Sequence, residues 1–261
     1  MQINFERRGR GKQLLLIHGI GGSWKSWNAI IDELAKEKEV IALDLPGHGK
    51  SPPLVGEVSI RTLADAVTQF LHENNMTGID TVGSSMGARL VLELVRRGGV
   101  LGAVVSLDPG GFWKGWEIPF FFHTIKTSIR LVRILQPVMP GICRSTIGRS
   151  LLLLQFSKQP SKLSPQLVLD EMRAYAASPS FNELLDNLAY GEQQLGAPAN
   201  TIIKPLVIGW GKNDRVCIPK QASRALKLFP DASLHWFENC GHFPHWDAPG
   251  QTIELIFKTT A

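Results

Sequence analysis

Gly83-Ser84-Ser85-Met86-Gly87 sets a serine between two glycines, directly after the apolar run Ile79–Val82 and ahead of the helix-patterned stretch Ser85–Arg97. A serine on a sharp strand-to-helix turn is pushed out into an exposed, strained position, and the flanking glycines leave room for that turn. Only Ser85 has glycine two residues to either side; Ser84 is the lesser candidate. A serine hydroxyl is a weak nucleophile near neutral pH and needs a base, and the base needs an orienting acid. Both occur later in the chain. Asp214 follows the apolar run Pro205–Trp210, and His242 follows Ser233–Phe237. The order serine, aspartate, histidine, each beyond the end of a strand, predicts a catalytic triad of Ser85, Asp214 and His242.

Such groups meet only if a sheet gathers its strand ends along one edge. Gln13–Ile17, Val40–Leu43, Ile79–Val82, Val100–Leu107, Pro205–Trp210 and Ser233–Phe237 are near-continuously apolar. Between them lie helix-patterned segments at Lys25–Lys36, Ile60–Asn74, Ser85–Arg97, Lys220–Leu228 and Pro249–Lys258. The alternation predicts an α/β fold, a mostly parallel sheet covered by helices on both faces, with ligands at the carboxyl ends of its strands. It breaks from Gly111 to Asn200. There Ile125–Leu135 and Pro165–Ala177 have helical patterning, prolines are frequent and no strand is evident. The expected organisation is a core of residues 1–111 and 200–261 with a helical cap subdomain, 112–199, inserted between two strands.

Several motifs, taken in order, resemble the α/β-hydrolase superfamily over nearly the whole chain. His18-Gly19-Ile20-Gly21-Gly22 is similar to its H-G-x-x-G segment, and Asp44-Leu45-Pro46-Gly47-His48-Gly49-Lys50-Ser51 to its D-x-x-G-x-G-x-S loop. Trp210–Asp214 and Gly241–Pro244 are similar to its acid and histidine loops. The resemblance implies an oxyanion hole from the backbone N–H of Met86 and of Ile20, and structural roles for His18, His48 and Asp44. It also makes Asp108, after the strand ending at Leu107, a rival acid, because some relatives place the acid there. His245, three residues after His242, has no third ligand in view for a metal, and a surface or capping role is expected for it.

The resemblance further implies that the insertion shapes substrate choice. Phe112, Trp113 and Trp116, in a cluster with Phe120, Phe121 and Phe122, are candidates to line an apolar pocket, together with Phe243; the alternative is that they only pack the cap onto the core. The expected activity is acyl-enzyme hydrolysis of small to medium apolar carboxylic esters, with no cofactor and no metal. Carbon–carbon cleavage of ring-fission products is an alternative, although those enzymes commonly carry asparagine where this chain has Ser84. Amide, peptide, lactone or thioester hydrolysis and perhydrolysis also suit a triad, whereas a serine at the elbow excludes an aspartate-nucleophile enzyme. A ligand receptor on a hydrolase scaffold is the reading from another class.

Composition sets outer bounds. The 261 residues are 44% hydrophobic and 20% charged, as in an ordinary globular protein, and the net charge of +5 is too small to imply nucleic-acid binding. Cys143, Cys217 and Cys240 form neither a disulfide framework nor a zinc pattern. Met1–Arg10 lacks the apolar core of a secretory signal and no apolar run is long enough to span a membrane, so a cytoplasmic protein is expected. Between Phe112 and Leu169, eight lysines and arginines stand against a single acid, Glu117. Ile125–Leu135 mixes aliphatic residues with Lys126, Arg130 and Arg133, which suits either a solvated cationic face or weak contact with an anionic membrane surface.

Overall fold

The computed structural model describes residues 2–261. Seven strands form one sheet in the order β1-β3-β2-β4-β5-β6-β7. They are β1 (Phe5–Arg8), β2 (Lys12–Ile17), β3 (Lys38–Leu43), β4 (Ile79–Ser84), β5 (Leu101–Leu107), β6 (Leu206–Gly211) and β7 (Ser233–Phe237). All neighbours are parallel except β1, which lies antiparallel on β3 at the edge. Strand β1 is additional to the six expected.

The apolar runs follow from burial on both faces. Along β2, Leu15 and Ile17 join one core with Leu63 and Val67 of α2 (Ile60–Glu73) and Leu90 and Leu94 of α3 (Met86–Arg97). Leu14 and Leu16 point the other way, onto Trp27, Ile31 of α1 (Ile31–Leu34) and Ile256 of α11 (Pro249–Thr259). Alternate residues of a strand face opposite sides, so a strand covered twice must be apolar throughout.

The helix expected over Lys25–Lys36 is broken into a 3-10 turn, Trp24–Trp27, and the single turn α1. The carbonyl of Ser26, which a continuous helix would spend on a later N–H, accepts the Trp246 indole N–H at 2.9 Å.

From Asp108 the chain leaves the sheet and returns at β6. Between them lie α4 (Glu117–Ile134), α5 (Met139–Arg144), α6 (Thr146–Leu152), α7 (Pro165–Ala177) and α8 (Phe181–Tyr190), with no strand among them. Helix α9 (Ala222–Leu228) separates β6 from β7, and α10 (Pro244–Asp247) follows the histidine loop. Among the described residues no helix is long and apolar enough to cross a membrane.

The helical insertion sits directly on the core. Glu171 of α7 is buried and accepts the Ser26 hydroxyl at 2.8 Å. Burial raises its pKa from 4.5 to about 7, against the lowering effect of that hydrogen bond and with a smaller push from the charge of Asp170. A carboxyl whose folded pKa exceeds its unfolded value contributes its full stability at low pH and loses it as pH climbs from the unfolded pKa through the folded one. The wild type should therefore lose stability relative to Glu171→Gln between about pH 4.5 and pH 7, by roughly 3 kcal/mol. Urea midpoints at pH 5 and pH 8 check this: the gap should move in favour of the variant at the higher pH.

Candidate active site

The register aligns the strand ends. Ile17 pairs with Gly83, Ser84 with Leu107, Leu107 with Gly209 and Gly211 with Phe237, so the loops beyond β2, β4, β5, β6 and β7 emerge along one edge. The chain runs from β2 to β3 on one side and later to β4 on the other. The crevice between their carboxyl ends is where such a sheet holds ligands.

Ser85 occupies that crevice with φ 57° and ψ −113°, a left-handed backbone that L-residues adopt at a cost. The turn is held by Ser85 N–H donating to Leu107 O (2.9 Å) and by Arg89 N–H donating to Ser85 O (3.0 Å). Both flanking glycines are required by close approach. A Cβ on Gly83 would stand 2.3 Å from Gly87 O, and one on Gly87 would stand 2.4 Å from Ile17 O. Ser84, by contrast, is buried with its hydroxyl unpartnered.

The structure joins the three expected groups in one hydrogen-bonded chain. Ser85 Oγ lies 2.7 Å from His242 Nε2, and His242 Nδ1 lies 2.8 Å from Asp214 Oδ2. The other oxygen, Asp214 Oδ1, accepts the N–H groups of Val216 (2.7 Å) and Cys217 (3.1 Å). Asp214 and His242 are buried, whereas Ser85 is partly open.

Asp108 lies beside this chain without replacing a member of it. Its Oδ1 accepts the Gly211 N–H at 2.8 Å, its carboxyl is fully buried, and it has no hydrogen bond to His242. Burial, then the adjacent charge of Asp214, pushes its pKa well above the carboxylate range. Two buried carboxyls side by side cannot both ionise. Asp214 is the one receiving three N–H donors, so the proton belongs on Asp108.

Facing the nucleophile, Gly19 approaches so closely that a Cβ there would be 3.1 Å from Ser85 Cβ. Ile20 and Met86 are buried, and among the described residues neither backbone N–H donates to a protein acceptor. His18 shapes this loop: its Nδ1–H donates to Gly19 O at 2.7 Å while Nε2 accepts the Leu45 N–H at 3.0 Å. That pairing needs a neutral ring, and burial lowers the His18 pKa to about 4. His48 packs on it, 5.1 Å between centroids, and Asp44 accepts the N–H groups of Trp24 and Lys50.

A belt of rings spans from the histidine to the glycine loop. His242 packs on Phe243, Phe243 on Phe156, Phe156 on Tyr175 and Tyr175 on Phe181, with successive centroids 4.9, 6.1, 6.3 and 5.3 Å apart. Phe181 ends the series against Gly21, where an added Cβ would lie 2.8 Å from the ring. Of the expected pocket residues, Phe243 belongs to this belt. Phe112 lies against Trp210, and Trp113 stacks on Phe121 above Gly110. Trp116 is placed elsewhere, 60% exposed against Phe120 and beneath Lys220. Glu117 turns that end of α4 toward Lys220 and Arg224 of the α9 region, which carries Trp116 to the surface.

His245 is not at the surface. It is buried 4.6 Å from the Trp27 ring, and burial lowers its pKa to about 3, so it is neutral near pH 7. Asp214, Cys217 and His242 place ligand atoms within 4.8 Å of one another. They suit a metal poorly, because the aspartate and histidine atoms are spent on each other and burial holds the Cys217 thiol protonated.

Sequence reasoning passed over Asp247. Its carboxylate accepts the Gly241 and Lys158 N–H groups, both at 2.7 Å, as well as the Ser157 hydroxyl. His242 N–H in turn donates to Phe156 O at 2.8 Å. The histidine loop is thus tied to the segment following α6. Asp247→Ala strands several buried donors and should cost about 3 kcal/mol of stability. Slower labelling of Ser85 by a fluorophosphonate should accompany it, partly restored in Asp247→Asn, as denaturation midpoints and labelling rates would register.

A sheet of this order, with a serine elbow and helices inserted between β5 and β6, is the arrangement of an α/β hydrolase. The model of the alpha/beta hydrolase family matches residues 14–255, and the chain belongs to that family. An uncharacterized protein of Mycobacterium tuberculosis is 26% identical over 262 residues, spanning 97% of this chain and 76% of its own length. The 2-hydroxy-6-oxononadienedioate/2-hydroxy-6-oxononatrienedioate hydrolase 2 of Pseudomonas putida is 26% identical over 263 residues, 95% of this chain and 87% of that protein. Among solved structures, a thermophilic esterase from Thermogutta terrifontis shares the fold with a TM-score of 0.71 at 20% identity, over 98% of this chain and 92% of that one.

Proposed function

We propose that this hydrolase cleaves neutral, apolar carboxylic esters through an acyl-enzyme on Ser85. The observation that carries the reading is the continuous hydrogen-bonded chain Ser85–His242–Asp214 at the strand ends. His242 Nε2 takes the hydroxyl proton as Oγ attacks the ester carbonyl, and Asp214 holds the ring in the needed tautomer and stabilises the imidazolium. The N–H groups of Ile20 and Met86 receive the oxyanion, a contribution of about 3 kcal/mol or more for each such donor. His242 then passes its proton to the departing alcohol, and a water activated by the same nitrogen releases the acid.

The ring belt supports a neutral substrate. Phe243, Phe156, Tyr175 and Phe181 make the buried surroundings of His242 apolar, and the one buried cation on α3, Arg89, is committed to the carbonyls of Leu188 and Glu192. A second reading, hydrolysis of a carbon–carbon bond in a ring-fission product, is favoured by the name of the Pseudomonas putida relative. A dicarboxylate of that kind would need cations that the belt does not supply.

Purified protein assayed against p-nitrophenyl esters of increasing chain length and against a ring-fission diketone separates the two. Sustained ester turnover with an optimum at a medium acyl chain is expected. Turnover of the diketone alone would replace the ester reading with the second.

A further inference from the structure

Residues 118 to 169 contain seven lysines and arginines and neither aspartate nor glutamate. Among the described residues none of the seven forms an ion pair. Arg149 is buried and bonds the carbonyls of Cys143 and Arg144, so it builds the insertion. Lys126, Arg130, Arg133, Arg144, Lys158 and Lys162 are half-buried or exposed. An uncompensated cationic surface is thus concentrated on the helices between β5 and β6.

The residues that share this surface are large aliphatics. Leu131, Ile134 and Val138 follow one another along the outer side of α4 and the turn after it. Ile147 and Leu151, four residues apart, share one face of α6, and Leu154 follows in the turn after it. These six are between 50% and 74% exposed. Gln155, just after α6, bonds Thr124 at 2.9 Å and Ser128 at 3.4 Å, which lays the end of α6 beside the middle of α4. A cationic face meant only for water carries small or polar residues between its charges. Aliphatic side chains interleaved with unpaired cations match the boundary between phosphate headgroups and acyl chains.

We propose that this face of α4 and α6 docks the protein on an anionic phospholipid bilayer, its aliphatic side chains entering the acyl–headgroup boundary and its cations meeting the lipid phosphates. Docking stands on this surface alone. Its link to catalysis rests on the ester reading and on one connection: α6 runs straight into Phe156, whose ring joins the belt and whose carbonyl holds the His242 N–H. A bound bilayer would therefore touch the helix that precedes the segment holding the histidine loop.

Co-sedimentation of the Ser85→Ala protein with vesicles tests docking apart from turnover. Binding is expected to equimolar phosphatidylcholine–phosphatidylglycerol vesicles, weakened by salt, with little binding to phosphatidylcholine alone. Ile134→Ser with Leu151→Ser, and separately Arg130→Glu with Arg144→Glu, should each weaken it by roughly tenfold or more. The same surface changes made in the Ser85 protein should leave its melting curve and p-nitrophenyl acetate hydrolysis unaltered. No binding to either vesicle, or double variants that both bind as well as the parent protein, would overturn the proposal. So would a dimer in sedimentation velocity that Leu151→Ser dissolves in a protein that ignores vesicles, since the face would then belong to a second copy of the chain.

Discussion

Replacing Ser85 with alanine is expected to lower ester turnover by roughly a millionfold, by analogy with nucleophile removal in other serine hydrolases. The size follows from what is lost. The acyl-enzyme route disappears, and attack by water must use whatever activation His242 and the oxyanion donors still provide. The substitution is otherwise mild, because the one side-chain hydrogen bond of Ser85 goes to His242 and alanine keeps the Cβ at φ 57°. Circular dichroism and melting should stay close to wild type, which separates lost chemistry from lost fold. A fluorophosphonate should label the wild type at Ser85 and leave the variant untouched. Residual activity near the wild-type rate would refute the acyl-enzyme mechanism. A wild type that stalls after about one turnover would instead favour the receptor reading.

Asp214→Asn should reduce kcat by roughly ten-thousandfold, since an amide can present its N–H to His242 and trap the wrong tautomer. Asp108→Asn should retain activity within about tenfold. A protonated carboxyl and an amide are alike in shape and charge, and the Asn oxygen can still accept the Gly211 N–H. The contrast decides between two acids on neighbouring strand ends. It has a spectroscopic companion as well: the protonated-carboxyl infrared band that remains at neutral pH once Glu171 is replaced by glutamine should vanish when Asp108→Asn is added. A severe loss at Asp108 with a mild one at Asp214 would reverse their roles.

The parallel strands were legible because burial on both faces leaves a local trace, an unbroken apolar run such as Leu14–Ile17. Strand β1 left no such trace. Phe5–Arg8 is short, charged at three of its four residues and at the sheet edge, so its pattern resembles a loop. The serine, aspartate and histidine were legible for a different reason: each sits in a loop whose glycines and strand ends are written next to it. His245 was misplaced because a histidine close to a loop looks exposed, whereas Trp27, far away in sequence, buries it. The ring belt was invisible for the same reason. Phe156, Tyr175 and Phe181 come from separate segments of the insertion and meet only through packing, whereas the cluster that includes Trp116 is contiguous in sequence. Asp247 likewise links the nearby Gly241 to partners some 90 residues earlier, and those leave no local trace.

That bond has a consequence for recombination. The helices between β5 and β6 are not an interchangeable part: Phe156, Ser157 and Lys158 hold the loop bearing His242, and Asp247 is their counterpart in the core. A chimera that imports a relative's insertion while keeping this core will inherit a working base only if the donor brings a matching hydroxyl and backbone geometry, or if the loop of residues 241–247 travels with it. Crossovers placed at the strand ends alone should yield folded proteins with a wandering imidazole. Exchanging both pieces together widens the range of pockets that one serine elbow can serve.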